Sequence, residues 1–393
     1  MSSTTSAIPG YGDGDAGGIV HTGRIAYLEE RLGFTAARPT TQQRRRRLVL
    51  YLIVAWVIPF ALSLLPSAGK PAIPFALDIE AEVRALVAIP LLLLAEWPID
   101  QRLRILFRRL GSRPLMTDAG RKVLAERIHW ARRVGGHPLA EGLLITLAFA
   151  NAARWVTVHE GAHSTWIATM QDGVHTLTPA GAWEAAVVVP IYAFLLFRWL
   201  WRWVVLTMLF ARVSRLNLKL VPNHGDRAAG LGFVSEAPIV FSFVLMSASA
   251  VACGKGMDDI LYGGIEPARL MSTIQAIVVA GVVLAFMPLL AFVPRLVTFK
   301  RLALRRYTDI VAKHGIAVEK IWVTPGDRVD CDTASSMTDL NSVHLIVQSM
   351  RFVPTSLMPV AVVAVATGLP LVPLVLQVIP ARELAMKLLR AVA

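Results

Sequence analysis

The sequence predicts an all-α fold, a polytopic membrane protein with about six transmembrane helices and a broken seventh segment near its C-terminal end. One observation is the run from Leu270 to Val293, which contains no Asp, Glu, Lys or Arg. As a helix, a run of this length spans a hydrocarbon core of about 30 Å. Similar runs recur along the chain, and 55% of the 393 residues are hydrophobic while only 17% are charged. A soluble domain would offer too few partners to bury all of these runs.

The distribution of charge predicts which loops are cytoplasmic. The chain carries 40 Lys and Arg against 27 Asp and Glu, a net charge of +13. In a soluble protein this excess would suggest nucleic-acid binding. Here the basic residues lie in loops that flank apolar runs, as the positive-inside rule expects, and the anionic inner leaflet attracts them. We therefore expect membrane lipid, and no nucleic acid, as the partner of the basic surface.

Residues 1–47 precede the first apolar run and are predicted to be cytoplasmic. Their start is rich in Gly, Ser and Thr and is expected to be disordered. The segment Arg24–Phe34 has the apolar spacing of an amphipathic helix. Arg44 to Arg47 then adjoin the first span, which places the N-terminus on the inner side.

The first transmembrane hairpin is predicted over residues 48–100, with spans at Leu48–Leu65 and Val83–Ile99. An acidic segment around Glu80 joins the two spans and suits the outer side. Residues 101–137 carry ten Lys or Arg and are predicted to form a cytoplasmic helical segment on the membrane surface.

Residues 138–293 are predicted to form the main transmembrane bundle, with an inner loop at residues 214–236. The second span of this bundle is about thirty residues long, more than a bilayer requires, and is expected to continue into the cytoplasm. The predicted spans of this bundle are Pro138–Val158, Trp183–Val213, Ala237–Cys253 and Leu270–Val293.

The C-terminal part is divided into a cytoplasmic segment, residues 294–353, and a broken membrane segment with a tail, residues 354–393. The last apolar run either crosses the membrane as a seventh span or re-enters as a hairpin, because broken helices are tolerated where protein covers the freed backbone groups. The basic tail favours an inside C-terminus and hence the hairpin. The interrupting residues are Gly368, Pro370 and Pro373, and the basic residues of the tail are Arg382, Lys387 and Arg390.

Arg198 and Arg202 are the first candidates for a functional site, because they lie four residues apart within an apolar run and share one helical face. In one interpretation they belong to a belt at the inner interface, where neighbouring tryptophans and arginines contact lipid headgroups. In the other they form an anion site that faces the bundle interior, because charge within a membrane is costly and usually functional.

Glu96 and Glu141 are candidate partners for intramembrane arginines. Glu96 lies near the end of the second run, and Glu141 lies at the start of the third span. Ion pairing between helices would be a structural role for them, whereas a charged permeation path would be a functional one.

The inner loop contains a compact turn in which His224, Asp226 and Arg227 surround Gly225. Three interpretations remain open: a helix-capping turn, a gate or ligand contact, and a metal site. One His and one Asp are too few ligands for a metal on their own.

This turn carries a resemblance to a known group of proteins. The stretch RVSRLNLKLVPNHGDRAAGLGF resembles a motif of uncharacterised bacterial multi-pass inner-membrane proteins, in which the turn more often reads His-Pro-Asp-Arg. Gly225 replaces that proline here, and the similarity extends into the later segment around Asp339 and to Pro354. The resemblance implies a bacterial inner-membrane protein and supplies neither an activity nor catalytic residues.

No catalytic signature is recognisable: the sequence has no phosphate-binding glycine loop, no His-Glu-x-x-His motif and no Gly-x-Ser-x-Gly elbow. Cys253 and Cys331 fit no disulfide or metal framework, and we predict neither a cofactor nor a metal. The leading hypothesis is a channel or transporter for an anion or anionic solute, assembled as a homo-oligomer. The alternatives are a membrane sensor or scaffold for a cytoplasmic protein, and a membrane enzyme that acts on lipid.

Overall fold

Helices form most of the computed structural model, which describes residues 23–33, 39–65, 73–112, 115–159, 166–171, 174–323 and 331–378. The predicted all-α fold therefore fits, with one small exception in an antiparallel hairpin of β1 (Ala168–Gln171) and β2 (Val174–Leu177). The start of the chain that we expected to be disordered, residues 1–22, lies outside the described residues.

Eleven helices follow one another in the described residues. They are α1 (Arg24–Arg31), α2 (Thr41–Ser63), α3 (residues 79–110), α4 (Asp118–Gly135), α5 (Pro138–His159), α6 (Pro179–Val213), α7 (Glu236–Leu261), α8 (Met271–Phe286), α9 (Val293–Val323), α10 (Cys331–Gln348) and α11 (residues 357–378). A 3₁₀ turn, Met287–Phe292, connects α8 to α9 without a loop, so that the two helices form one continuous helical segment.

Six segments of the described chain are long and apolar enough to cross a membrane. These segments are Thr41–Ser63, Pro138–Thr157, Pro179–Val213, Gly232–Leu261, Pro267–Glu319 and Leu357–Gln377. The second predicted span is absent from this set, because the helical geometry is interrupted at Ala95 and the apolar part of α3, residues 79–94, is too short. One face of α3 packs within the bundle, where Glu80, Arg84 and Glu96 are buried, and the opposite face exposes apolar side chains such as Leu86 and Leu94.

A proline widens one turn in each of α2, α3 and α6. The π-helical turns Ile53–Val57, Arg84–Ala88 and Glu184–Val188 each end one residue before an Ile-Pro or Val-Pro pair. Proline has no N–H to donate and its ring displaces a carbonyl of the preceding turn, so an extra residue in that turn relieves the clash. The turn in α2 contacts the turns in both α3 and α6, so the three wide turns lie at one level of the bundle.

The two ends of the bundle differ in charge. One end, which we call the basic end, joins the start of α2 to the later part of α3 through Arg47 and Glu96. At the opposite, acidic end, the Asp258 carboxylate of α7 accepts the backbone N–H groups of Ile79 and Glu80 at the start of α3, at 3.1 and 2.7 Å. A carboxylate at this position also interacts favourably with the helix dipole.

The last apolar segment crosses the bundle from the basic end to the acidic end. Just before α11, the N–H of Arg351 donates to the carbonyl of Arg227 in the inner turn, at 2.7 Å. At its far end Leu374 packs against Cys253 and next to Gly256, near the end of α7. A 3₁₀ turn, Leu369–Leu371, accommodates the prolines, so the helix continues and does not reverse. The re-entrant hairpin is therefore wrong for these residues, and the basic tail that favoured it lies outside the described residues.

Candidate functional site

A cluster of charged side chains lies at the basic end, where α1, α2, α3 and α6 meet. Arg47 is at its centre: its Nη2 lies 3.0 Å from Glu29 Oε2 and 3.5 Å from Glu96 Oε1, and its Nη1 contacts the second oxygen of Glu96. The hydroxyl of Tyr51 also donates to Glu29, at 3.0 Å. We call Glu29, Arg47, Glu96, Arg198 and Arg202 the basic-end cluster.

Arg198 and Arg202 are buried in this cluster, with only 5% and 6% of their surfaces exposed. Nη1 of Arg202 lies 3.7 Å from Glu96 Oε1, and its guanidinium lies 4.8 Å from the ring centre of Trp199. The Trp199 indole donates to the carbonyl of Leu92 on α3, at 3.0 Å, which fixes α6 against α3. The structure thus places both arginines in the protein interior rather than at a lipid-facing surface.

Positive and negative groups lie close together in the basic-end cluster. The charged groups that act on Arg202 are Arg198 and Arg47, which are positive, and Glu96 and Glu29, which are negative. Three guanidinium groups therefore share two carboxylates in a buried setting. Because charges are screened weakly away from water, guanidinium groups in this setting interact with an anion more strongly than they would at the surface.

Glu141 lies in a different arrangement from the one proposed for a permeation path. Its carboxylate accepts the backbone N–H of Arg24 at 2.8 Å, at the first residue of α1. The preceding Gly23 has a φ of 106° and sits so close to this carboxylate that a side chain there would overlap it. Glu141 therefore fastens the N-terminal helix to α5, and a carboxylate at a helix N-terminus is also favoured by the helix dipole.

The inner turn is organised by Asp226. One carboxylate oxygen accepts the N–H groups of Ala228 and Gly230, at 2.8 and 3.1 Å, and the other accepts that of Gly232, at 2.8 Å. Burial acts to raise the pKa of Asp226, but these backbone hydrogen bonds and the contact with His224 outweigh it and hold that pKa below its usual value. This geometry is that of a cap on the turn that leads into α7.

The same turn contacts the start of the last helix. Arg227 and Ala229 have positive φ angles of 53° and 56°, which directs the Arg227 carbonyl toward the N–H of Arg351. Nδ1 of His224 lies 2.9 Å from Asp226, and half of the His224 side chain is exposed. The turn residues therefore differ in role from the basic-end cluster. The turn residues connect the inner loop to α7 and to the segment before α11.

A second buried cluster, at the acidic end, was not predicted. Arg84 Nη1 lies 2.6 Å from Glu184 Oε1 on α6, and Arg84 Nη2 pairs with Glu80 one turn earlier on α3. Arg84 is 2% exposed and Glu184 is 1% exposed, and the Trp155 ring of α5 lies 5.5 Å from the guanidinium. We call Glu80, Arg84 and Glu184 the acidic-end triad.

Two members of the triad, Arg84 and Glu184, share a sequence signal, which is their spacing from a following proline. Arg84 lies six residues before Pro90 in RALVAIP, and Glu184 lies six residues before Pro190 in EAAVVVP. Each is the first residue of a π-helical turn, so opposite charges occupy equivalent positions on two helices. The pairing itself needs the fold, because the two residues are 100 positions apart.

An aromatic cap covers the acidic end. Phe75 and Trp166 pack edge to face with ring centres 4.8 Å apart, and the Trp166 indole donates to Asp78 at 2.8 Å. Thr178 joins this cap to the start of α6: its N–H donates to the Ile167 carbonyl at 2.9 Å, and its hydroxyl accepts the Gly181 N–H at 3.0 Å. The cap therefore packs against the starts of α3 and α6, the two helices that carry the triad.

Neither metal binding nor similarity to known proteins assigns a role to the two clusters or to the inner turn. In the part of the chain that the structure describes, no group of three or more His, Cys, Asp and Glu is placed to hold a metal ion. Comparisons of the chain with protein-family models, with curated proteins and with solved structures gave no match. The two clusters and the turn are therefore interpreted from their own geometry.

Replacing Asp226 with alanine is expected to lower the free energy of unfolding by about 1.5–3 kcal/mol at neutral pH, because a charged acceptor of three N–H groups is lost. His224→Ala, which removes one contact to that carboxylate, should cost about 0.5–2 kcal/mol. Thermal and denaturant unfolding in detergent would measure both values.

The pH dependence of that difference follows from the lowered pKa of Asp226. A carboxyl whose folded-state pKa lies below its unfolded value stabilises the fold above the unfolded pKa and loses this contribution as the pH falls through the folded value. The gap between the wild type and Asp226→Ala should therefore close in acid. Equal stability of the two proteins at neutral pH would contradict the capping role.

Proposed function

We propose that this chain is a bacterial inner-membrane transporter or channel for an anionic solute, with its basic end in the cytoplasm. The observation that supports the proposal is the burial of Arg198 and Arg202 beside Arg47, with Glu29 and Glu96 as their acidic neighbours. Intramembrane arginines that face a bundle interior are costly to place and usually interact with a solute or an ion. An anion entering this cluster would interact with guanidinium groups in a place where charges are screened weakly.

The position of the two clusters supports transport along α3 and α6. Both helices contribute to each cluster, and Arg84 and Glu96 on α3 are separated by about 18 Å at 1.5 Å per residue. Ion pairs thus join the same two helices near both ends of the bundle. Such pairs can break and re-form while the helices move, which suits a protein that opens one end at a time.

Replacing Arg198 and Arg202 together with glutamine should reduce anion flux and shift the reversal potential toward that of a non-selective pathway. Glutamine retains length and hydrogen-bonding capacity, so the main change is the loss of two charges in a weakly screened site. Reversal potentials in planar bilayers under a chloride gradient would measure the effect.

A matched control for this double variant is Arg212→Gln with Arg215→Gln. Arg212 lies in the last turn of α6 and Arg215 lies just beyond its end, and both side chains are exposed. The control therefore removes the same charge from positions where water screens it. The control should leave selectivity unchanged. An unchanged reversal potential in the buried double variant would mean that Arg198 and Arg202 do not determine selectivity.

The orientation is tested by labelling single cysteines in intact cells, after Cys253 and Cys331 have been replaced with serine. A cysteine at Tyr262, which is exposed at the acidic end, should react with an impermeant maleimide from outside. A cysteine at Arg305 on α9 should react only after the cells are opened. Rapid labelling at position 305 in intact cells would reverse the proposed orientation.

A scaffold is the second candidate, and one feature favours it. The 31 residues of α9 continue from the last turns of α8 and pack against α10 as a helical hairpin. This hairpin exposes Leu302, Ile310 and Ile316, side chains that a cytoplasmic partner would cover. Two results together would favour the scaffold over transport: the unmodified protein conducts no anion, and variants of the α9–α10 hairpin lose a bound protein.

A further inference from the structure

The side chain of Glu29 brings a carboxylate from α1 into the basic-end cluster. It lies along one edge of the Arg47 guanidinium: Nε donates to Glu29 Oε1 at 3.2 Å, and Nη2 lies 3.0 Å from Glu29 Oε2. The hydroxyl of Tyr51 donates to the same Oε1, at 3.0 Å. Two parallel contacts of this kind are the geometry by which a guanidinium recognises a planar carboxylate.

Arg47 uses different edges of its guanidinium for its two acidic partners. Glu96 on α3 contacts Nη1, and its other oxygen lies 3.5 Å from Nη2. Glu29 contacts Nε and Nη2. Departure of Glu29 would therefore leave Arg47 paired with Glu96 and would open the Nε–Nη2 edge and the Tyr51 hydroxyl to another carboxylate. With Glu29 in place, only 7% of the Arg47 surface is exposed.

The helix α1 packs little apolar surface against the bundle. Ala26 is the buried residue among its eight, whereas Tyr27 and Leu28 are more than half exposed. At its start, the carboxylate of Glu141 on α5 accepts the N–H of Arg24. A helix this short is marginal on its own in water. The docking of α1 therefore depends largely on polar contacts, and elements with few buried apolar contacts open at a low cost in free energy.

We propose that Arg47 and Tyr51 form a binding site for a carboxylate group, that Glu29 occupies this site as an internal ligand, and that a carboxylate solute releases α1 by taking its place. The incoming group can form the same contacts to Nε, Nη2 and the Tyr51 hydroxyl, so the exchange preserves the hydrogen bonds of the site. The statement that released α1 opens the way to a transport path rests on the proposed function, whereas the carboxylate site itself does not.

Competition between Glu29 and the solute has a quantitative consequence. A site that is covered in about 90% of the molecules binds an added ligand about tenfold more weakly than the open site does. Removal of the Glu29 carboxylate should therefore raise the apparent affinity for a small carboxylate by about this factor. A structural ion pair that never opens would not show such a gain.

The site is tested without any transport by thermal unfolding of the full-length protein in detergent over a range of acetate concentrations. Acetate carries the functional group of Glu29 and is small enough to enter the space that alanine leaves. Acetate should raise the unfolding midpoint of Glu29→Ala saturably, with half of the effect at a concentration about tenfold lower than in the wild type. Glu30→Ala removes the same group from an exposed position of the same helix and should behave as the wild type.

An equal effect of acetate on all three proteins would be a general salt effect and would overturn the site. If Glu29→Ala does not fold, Gly23→Ala provides a second test, because its Cβ would overlap the Glu141 carboxylate and loosen α1 at the other end. This variant leaves Arg47 and Tyr51 intact and should also respond to less acetate than the wild type. An unchanged response in folded Gly23→Ala would contradict the displacement of α1.

Release of α1 is measured directly as the distance between spin labels on cysteines at Leu28 and Leu261, after the two native cysteines have been replaced with serine. Both positions are exposed, Leu28 on α1 and Leu261 at the acidic end of α7. The protein with Glu29 should give one narrow distance, and either Glu29→Gln or saturating acetate should broaden it. Glu30→Gln should keep the narrow distance. A distance that stays narrow both in Glu29→Gln and in acetate would overturn the release of α1.

The link to transport is tested by chloride flux into proteoliposomes at a low chloride concentration. Glu29→Gln should carry chloride up to about tenfold faster than the wild type, because α1 then covers the basic-end cluster in few molecules. Glu30→Gln should match the wild type. Equal fluxes in the wild type and Glu29→Gln would overturn the closing role of α1 and leave the transport proposal intact. Absence of chloride flux in every protein would count against the proposed function, while the acetate titration and the label distances would still decide the carboxylate site.

Discussion

Replacing Glu96 with glutamine is expected to lower the free energy of unfolding by about 3–5 kcal/mol, because removing one partner of a buried ion pair weakens the compensation of the charges that remain buried. Glu96 lies between Arg47 and Arg202 and is 6% exposed. Without its charge, two buried guanidinium groups on α2 and α6 would face each other across α3. Denaturant unfolding in mixed micelles would measure the loss.

The matched control is Glu236→Gln at the same end of the bundle. Glu236 also pairs with two arginines, Arg102 at 3.3 Å and Arg109 at 2.9 Å, but these arginines are more than half exposed. Ion pairs of this kind contribute about 0–1 kcal/mol. Each variant therefore removes the charge of a carboxylate that pairs with two arginines, and the two sites differ in burial. Equal losses would mean that burial of the basic-end cluster does not determine its energy.

Replacing Gly181 with alanine is expected to destabilise the acidic end by about 3 kcal/mol, near the upper end of the range for overpacking. A Cβ at this position would overlap the carbonyl oxygen of Ile167 and lie 2.8 Å from its carbonyl carbon. Both are backbone atoms, so the start of α6 would have to move away from the segment that carries Trp166. The thermal unfolding midpoint and the tryptophan emission spectrum would report this change.

Gly142→Ala is the control for this variant. Gly142 lies within α5, and a Cβ there would meet no atom within 4 Å. Alanine should therefore stabilise the helix by about 0.5–1 kcal/mol, since glycine loses more backbone entropy on folding. Opposite signs for the two substitutions are expected. A Gly181→Ala protein as stable as the wild type would show that the cap is not packed against α6 as described.

The membrane-length helices were predictable because their signal is local. An apolar run such as Leu270–Val293 identifies itself by its length and its lack of charge, whatever the rest of the chain does. The amphipathic helix near the N-terminus was also predictable from spacing, and the structure has it at Arg24–Arg31. The last segment was harder, because two prolines in a helix suggest a break, and only its packing along α7 shows that it continues.

The candidate site was predictable only in part. The shared face of Arg198 and Arg202 follows from their spacing of four residues, but that spacing does not say whether the face meets lipid or protein. Glu96 was singled out as a partner, and the structure places it between Arg47 and Arg202. Glu141 was singled out in the same way, yet it fastens α1 instead. A carboxylate in an apolar run signals that it needs a partner, and the sequence does not identify which partner it finds.

The sequence by itself determined the class of this protein, the position of its long apolar helices and the sites where prolines disturb them, because all of these depend on residues that are near one another in the chain. The tertiary structure decided that the charged side chains Glu80, Arg84 and Glu96 of α3 are buried, and that Arg84 meets Glu184 from 100 residues away. It also decided that Arg47 meets Glu96 from 49 residues away. The physical reason is that the free energy of a buried charge depends on which charge lies within a few ångströms of it, and the packing of helices sets that distance.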